Sequence, residues 1–500
     1  MSRSSDITLR VLRAVTVSVF IVLAVVNAYQ SLGWEVIWDA EIFSYIGWLV
    51  RTGLVPYRDI FTVDLPGTLL IYSWVVKFLG PGDLAFRLFD LSFLLVIDIL
   101  IIVYCKRYGL LAGILAAGLF SCIHLSAGAN QAAQRDYLQV LFVLAGFQLC
   151  ASVFETGRYN SLLFFLSGAC IGASLTIKPV TALLFPVIGL IACLYLAAAK
   201  RRVMAPLGAF LAGGCMVPLC AGCWLWSHGA LAPFLDIVCK YTAVSYAQAS
   251  LAPFQQVVYL NSYFGCSFLY LAGVLFVLSG IYLVRKKQYR PRFILLCVGV
   301  AYGLFHVLCQ RKYFFYHYYP LAAFACMLAA VYTVEIKLRA NKLLEIIILC
   351  TVVFFIAGQG CRSYTAIAAN RPWRNKFKDV MQVEIAQNLP PGGALQPLLL
   401  NGMHRALQEM GLLPPNRFIY DFPFYHDADH PYIQELRREF IAALNKKPPA
   451  LILLARACFP CPVYERIEKF PEFSRFLQRY DIVSEHVDYR LYKYRGGAGR

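Results

Sequence analysis

Residues 38–80 read WDAEIFSYIGWLVRTGLVPYRDIFTVDLPGTLLIYSWVVKFLG and fill most of the segment from Trp34 to Asp83 that follows the first apolar run. This stretch sets Asp39, Glu41, Asp59 and Asp64 among many aromatic residues. Carboxylates this close to a bilayer are costly to bury without a purpose. A Pro-Tyr-Arg-Asp turn at 56–59 separates two amphipathic stretches, 41–53 and 64–80. Both read as helices lying along a membrane surface, with the acids gathered into a site there.

The rest of the chain supplies the membrane. Of 500 residues, 59% are hydrophobic and only 15% are charged; the mean hydropathy is +0.60. Mostly apolar runs of about 20 residues recur, each long enough to cross the hydrocarbon core. This is the pattern of a polytopic α-helical membrane protein with one soluble tail. The first run, 11–33, lacks a small-residue cleavage site and reads as a retained signal anchor. The net charge of +18 does not mean nucleic acid, because no basic stripe with interleaved aromatics occurs. Much of the excess sits in short loops: Lys106-Arg107, Lys200-Arg201-Arg202, Arg285-Lys286-Lys287, and Lys337, Arg339 and Lys342. That distribution marks cytoplasmic loops. Most of the 17 cysteines fall within apolar runs, where they act as small apolar residues. Cys458 and Cys461 alone form a C-x-x-C pair in the polar tail, read as a structural disulfide or two free thiols.

Charge parity sets the topology. Arg3, Arg10 and Arg13 place the N-terminus in the cytoplasm, and Lys106-Arg107 must return there. Of the three apolar stretches between them, 64–80 is the weakest, so it stays outside. Two-span steps then lead to Arg158, Lys200, Arg285 and Lys337, and a last span at 343–360 exits. The expectation is about eleven spans in residues 1–360, with a tail of residues 361–500 on the outer side. In that tail 376–389 and 432–445 read as amphipathic helices, and 398–400, 450–454 and 489–493 as strands, a small α/β domain.

With this topology the unusual polar residues converge on the outer face. They are Asp39 and Glu41 in the first outer loop, Arg87 and Asp90 in the second span, Asp136 after Gln131, Gln134 and Arg135, the Lys178-Pro179 turn, and Arg311, Lys312 and His317 in QRKYFFYHYYP. Each also has a bland reading. Asp39 and Asp136 could cap helices, Lys178 and Arg311 could snorkel to headgroups, and His317 could be an interfacial histidine. Asp98, deep in the second span, needs a polar partner. Cations on this side go against the charge rule, which favours an anion-binding role for them. No phosphate loop, zinc signature or Ser/His/Asp spacing stands out. Transfer chemistry outside the cell needs an activated donor delivered in the membrane. A sugar on a lipid phosphate meets that need: its phosphate wants Arg or Lys, and the acceptor hydroxyl wants a carboxylate base.

The segments DAEIFSYIG, VPYRDIF, DLPGTLLIY, GPGDLAFRLFDL, QRDYLQVLF, TIKPVTALLFP and YHYYPLAAF, spread in order over residues 34–335, resemble GT-C membrane glycosyltransferases. The resemblance is to the bacterial branch related to protein O-mannosyltransferases, aminoarabinose transferases of lipid A and rhizobial lipopolysaccharide galacturonosyltransferases. It implies transfer from a polyprenyl-phosphate sugar to an envelope lipid, glycan or protein, with inversion, at the outer face of a bacterial inner membrane. It places the acceptor's base on Asp39, the second-loop acid on Asp136 and a donor-phosphate cation on Lys178. Glu41 stands one residue later than the second acid of many members, and Asp64-Leu65-Pro66 replaces their Lys-Pro-Pro, for which Arg58 is a substitute. The expected site is thus Asp39 as catalytic base, with Glu41, Arg58, Asp136, Lys178, Arg311 and His317 binding substrate. Asp39 and Asp136 are the carboxylates for a divalent ion if one is used. The rival readings are a transporter or lipid flippase, which predicts paired halves with broken helices, and a sensor or assembly protein whose outer tail binds a partner.

Overall fold

The computed structural model describes residues 3–157, 160–246, 263–286, 291–335, 342–375, 377–398, 403–424, 428–456 and 467–496. The chain divides into two compact units. The first holds Met1–Trp34, Arg87–Ala221 and Ala252–Trp373; the second holds Glu35–Phe86, Gly222–Leu251 and Arg374–Arg500.

The first unit is helical. Among the described residues six helices are long and apolar enough to cross a membrane: Val11–Ser31 within α1 (Arg3–Ser31), α4 (Asp83–Cys105), α6 (Arg135–Thr156), Pro179–Ala198, α9 (Met204–Ser227) and Pro291–Gln310. Helices also form at the other five places where the sequence puts spans: α5 (Leu110–Ser126), α7 (Ser161–Leu175), Tyr263–Lys286, Tyr319–Glu335 and Lys342–Ala369. Local chemistry sets several ends. Gly157 closes α6 in the left-handed conformation, φ 62°, which a residue without a Cβ adopts at no steric cost. Asn160 caps α7, its side chain accepting from the Leu162 amide at 2.8 Å. The last helix does not stop at 360. It runs to Ala369, because residues 361–369 carry one arginine among helix-compatible residues and no proline or glycine.

The second unit holds the segment Glu35–Phe86 together with the tail. The two expected loop helices form, as α2 (Asp39–Arg51) and α3 (Pro66–Leu79). Pro66 sits at the first turn of α3, where its missing N–H costs nothing. The helices cross closely at Gly47, where a Cβ would lie 2.8 Å from the Tyr72 carbonyl carbon. Helix α3 leaves Trp74 and Phe78 more than 60% exposed. The tail builds a four-stranded sheet of order β1-β2-β4-β3. β1 (Leu395–Leu398) runs parallel to β2 (Leu451–Ala455), with Leu395 opposite Leu451. β4 (Tyr489–Tyr494) is antiparallel to β2 and to β3 (Tyr480–Glu485). The run Leu-Ile-Leu-Leu-Ala of β2 is buried throughout, as a strand covered on both faces should be. Helices Lys378–Asn388 and Pro431–Lys446 form close to where the sequence places them. The first strand lies three residues earlier than the expected 398–400, of which 399–400 fall outside the described residues. The Cys458–Cys461 pair also falls outside them.

The loop is bound to the tail by backbone as well as side chains. Phe61 N–H donates to the Arg417 carbonyl at 2.7 Å, the Tyr45 hydroxyl donates to the Leu412 carbonyl at 2.8 Å, and the Phe61 and Phe418 rings stack at 5.8 Å. Phe424, Phe440 and Phe473 continue this core, with centroid separations of 4.7 and 5.8 Å.

Candidate functional site

In the first unit three of the expected site residues meet. Asp136 lies in the first turn of α6 and is fully buried. Its Oδ2 pairs with Lys178 Nζ at 3.0 Å. Its Oδ1 accepts from His306 Nε2 at 2.6 Å and from Gln310 Nε2 at 2.9 Å. Lys178 Nζ also donates to Gln310 Oε1 at 2.9 Å. Behind this ring, Gln139 Oε1 accepts from Thr181 and Tyr302 hydroxyls at 3.2 and 3.1 Å. His317, in the turn Phe315–Tyr318, is buried and within electrostatic reach of Asp136, Lys178, His306 and Lys312. Its Nδ1 has no hydrogen-bond partner among the described residues. One carboxylate is thus paired with a lysine and accepts from an imidazole and an amide, with a second imidazole within electrostatic reach. The donor set is cationic and amide-rich, and it suits an anion brought to the ring far better than a divalent cation. Among the described residues no three His, Cys, Asp or Glu side chains gather as metal ligands do.

The sequence reading missed His306 and Gln310. The signal was there: the two are four residues apart on one helix, so they share a face, and Gln310 opens the QRKYFFYHYYP segment. Arg311, by contrast, is exposed, on backbone in the left-handed region, φ 52°. It does not join the ring.

A second polar network holds the loop that leads to Asp136. Arg87 Nη1 donates to Asp90 Oδ2 at 2.6 Å, and its other nitrogens reach Ser31 Oγ at 2.9 and 3.2 Å. His124 bridges Asp90 Oδ2 at 3.0 Å and the Tyr319 hydroxyl at 2.7 Å. Asp90 Oδ1 accepts the Ala133 amide at 2.6 Å. Every charge here is buried and paired, which is the condition for keeping such groups from water. Ala133 takes φ 48°, a strained value for a residue with a Cβ, and the bond to Asp90 holds it there. Asp98 finds its partner in Ser121, whose hydroxyl donates at 2.5 Å.

The remaining expected residues lie in the second unit. Asp39 is half-buried at the first residue of α2. Glu41 is buried beneath it. Its carboxyl accepts from Asn375 Nδ2 at 3.0 Å and from the Arg405 amide at 3.2 Å. Burial pushes this carboxyl well above the usual range, and the Arg405 amide and guanidinium offset part of the rise. The Arg405 guanidinium itself pairs with Asp83 at 3.4 Å and Glu409 at 3.0 Å and donates to the Pro81 carbonyl. Glu41 therefore ties α2 to the tail. Arg58 is exposed and forms an ion pair with Asp59 at 2.7 Å and a bond to the His228 carbonyl at 2.8 Å. The Arg58 hydrogen bond holds the Asp59 carboxyl below its ordinary value.

No family model and no curated protein sequence matches the chain. Solved structures do. The chain is similar to ArnT, an aminoarabinose transferase, from Cupriavidus metallidurans bound to undecaprenyl phosphate, with a TM-score of 0.59 at 12% identity over 97% of this chain and 99% of that one. The apo form of the same protein matches with a TM-score of 0.59 at 12% identity over 95% and 97% of the two chains. The oligosaccharyltransferase of Archaeoglobus fulgidus tethered with an acceptor peptide matches with a TM-score of 0.50 at 11% identity, over 88% of this chain and 69% of that one. At such identities the likeness establishes the fold, which is the arrangement the ordered sequence segments implied. The chain shares the fold of these two proteins, both of them GT-C enzymes.

Proposed function

We propose that this protein is a glycosyltransferase that moves a sugar from a polyprenyl-phosphate-linked donor to an envelope acceptor at the outer face of a bacterial inner membrane. The chain crosses the membrane eleven times, with the N-terminus in the cytoplasm and the tail outside. The acceptor hydroxyl oxygen attacks the anomeric carbon from the face opposite the lipid phosphate. The bond from that carbon to the phosphate oxygen breaks, and the phosphate leaves with the electron pair. The hydroxyl proton passes to the Asp39 carboxylate. Lys178 holds the leaving phosphate, and its charge stabilises the negative charge that develops there, with His317 as a further hydrogen-bond donor. Asp136, His306 and Gln310 keep the lysine ammonium in place between turnovers. The exposed Trp74 and Phe78 of α3 rest in the headgroup layer.

The observation that carries the proposal is the buried ring of Lys178, His306, Gln310 and His317 around Asp136. A lysine kept buried at an outer turn, with an orphan imidazole nitrogen beside it, is ready for an anion. That ArnT was solved with undecaprenyl phosphate supports a lipid phosphate as that anion, and the archaeal enzyme with its acceptor peptide supports a transfer reaction.

The test uses the full chain in lipid nanodiscs with a polyprenyl-phosphate sugar, scoring release of polyprenyl phosphate without an ion gradient. Lys178→Gln should lower turnover by roughly 10²–10³-fold, the range for removing one donor from a developing oxyanion. Lys178→Arg should restore part of it. Release that persists at the parental rate in both Lys178→Gln and Asp39→Asn, with both variants folded, overturns the assignment.

A further inference from the structure

The first unit contains a region that the transfer chemistry above does not use. A cavity of about 300 Å³ opens where α1, α5 and the helix Lys342–Ala369 end. Its size is at the lower end of the roughly 300–1,000 Å³ of small-molecule sites. Trp34 and Trp373 stand in its wall edge to face, with centroids 6.3 Å apart. Both rings are fixed from behind. The Arg87 guanidinium packs over Trp34 at 4.7 Å. Trp373 lies so close to Gly128 that a Cβ there would come within 2.3 Å of the indole, and Gly128 has φ 94°, so no other residue fits.

The polar lining is equally ordered. The Asn27 amide donates to Ser363 Oγ at 2.8 Å and to the Leu23 carbonyl at 2.9 Å, and the Gln30 amide donates to the Ile367 carbonyl at 3.3 Å. These bonds use the NH₂ ends, and Asn27 Oδ1 and Gln30 Oε1 accept no hydrogen bond among the described residues. Two arginines complete the wall. Arg362 lies over the Phe315 ring at 5.3 Å. Arg371 forms no ion pair among the described residues. The C-terminal ends of the three helices carry a partial negative charge of about half a unit each, which the two full charges outweigh.

Rigid aromatic faces suit the apolar faces of a sugar ring, amide oxygens accept from ring hydroxyls, and guanidinium groups pair with carboxylate or phosphate. We infer that this cavity is a binding site for a sugar headgroup bearing a negative charge. The use of that headgroup as the transfer acceptor rests on the function proposed above; its binding does not.

The probes are three single-chain amphiphiles, titrated into the full-length chain in lipid nanodiscs: dodecyl glucuronide, dodecyl glucoside and dodecyl phosphate. The glucuronide should bind saturably and about tenfold or more tighter than either of the others, since losing one charge-assisted contact costs about that factor. Arg371→Ala, at an exposed position, and Trp373→Phe should each weaken the glucuronide by about the same factor, with unfolding midpoints unchanged. Equal binding of dodecyl phosphate reduces the site to a plain anion site and overturns the inference. So does equal binding of the neutral glucoside, absence of saturable glucuronide binding, or indifference to both substitutions. If the glucuronide binds as expected while polyprenyl phosphate is never released, the sugar site stands and the transferase proposal falls.

Discussion

At the scale of single residues, burial decides which charges are chemical tools and which are structural. Glu41 and Asp39 are two residues apart, yet only Glu41 is buried, against the Arg405 amide. Its raised carboxyl pKa gives a signed expectation. Between the ordinary glutamate value and the raised one, the folded chain holds a proton that the unfolded chain has lost, so stability falls as pH rises through that window. Glu41→Gln should flatten this fall in the thermal unfolding midpoint of the detergent-solubilised chain. His404 acts in the opposite sense. It is buried with Nε2 donating to the Ile419 carbonyl at 3.0 Å, and burial lowers its pKa to about 4. The unfolded chain therefore takes up its proton first as pH falls, and stability drops from about pH 6.5 towards pH 4. The loss is on the order of 3 kcal/mol for a shift of this size. His404→Gln, which keeps a donor for Ile419, should remove most of that acid-side drop. Lys178 and Asp136 were legible as a cation and an acid beside helix ends. Their pairing was not, because nothing in spacing along the chain says that residues 136 and 178 will meet or that residue 306 will join them.

At the scale of elements, periodicity and composition placed the helices well and the strands unevenly. β2 was legible because five buried apolar residues in a row admit little else. β3, Tyr-Asp-Ile-Val-Ser-Glu, was not: it is an edge strand with most of its residues exposed, so its pattern is that of a polar loop. Helix crossings were also invisible in the pattern alone. Helix α7 meets the 204–221 part of α9 at backbone contact. A Cβ at Gly168 would come within 1.9 Å of the Phe210 carbonyl oxygen, and one at Gly213 within 2.0 Å of the Phe165 oxygen. Small residues that allow such approach are the usual means of helix association in lipid. Gly168→Ala and Gly213→Ala should each destabilise the chain by about 1–3 kcal/mol, the cost of overpacking, read as a lower unfolding midpoint. Gly208→Ala, where a Cβ meets open space, should leave the midpoint unchanged.

At the scale of the whole molecule, the proposed orientation rests on the charge distribution and is open to a direct test. Lys200→Cys should react with a membrane-impermeant thiol reagent only from the cytoplasmic side, and Arg371→Cys only from the outer side, in a background lacking exposed native cysteines. Labelling of both from one side would break the eleven-span parity. The sequence by itself determined that this is a multi-pass helical chain with a polar tail, because hydrocarbon thickness and backbone hydrogen bonding leave apolar runs few alternatives. It also placed the acids and cations worth examining, because charges in such a chain are scarce. Only the tertiary structure decided that Glu41 belongs to the tail's core, that Asp136 is paired with Lys178 and hydrogen-bonded by His306, and that the segment Glu35–Phe86 and the tail belong to one compact unit. The physical reason is that burial and pairing depend on contacts between residues far apart in the chain, and a buried charge takes its character from the partner that folding brings to it.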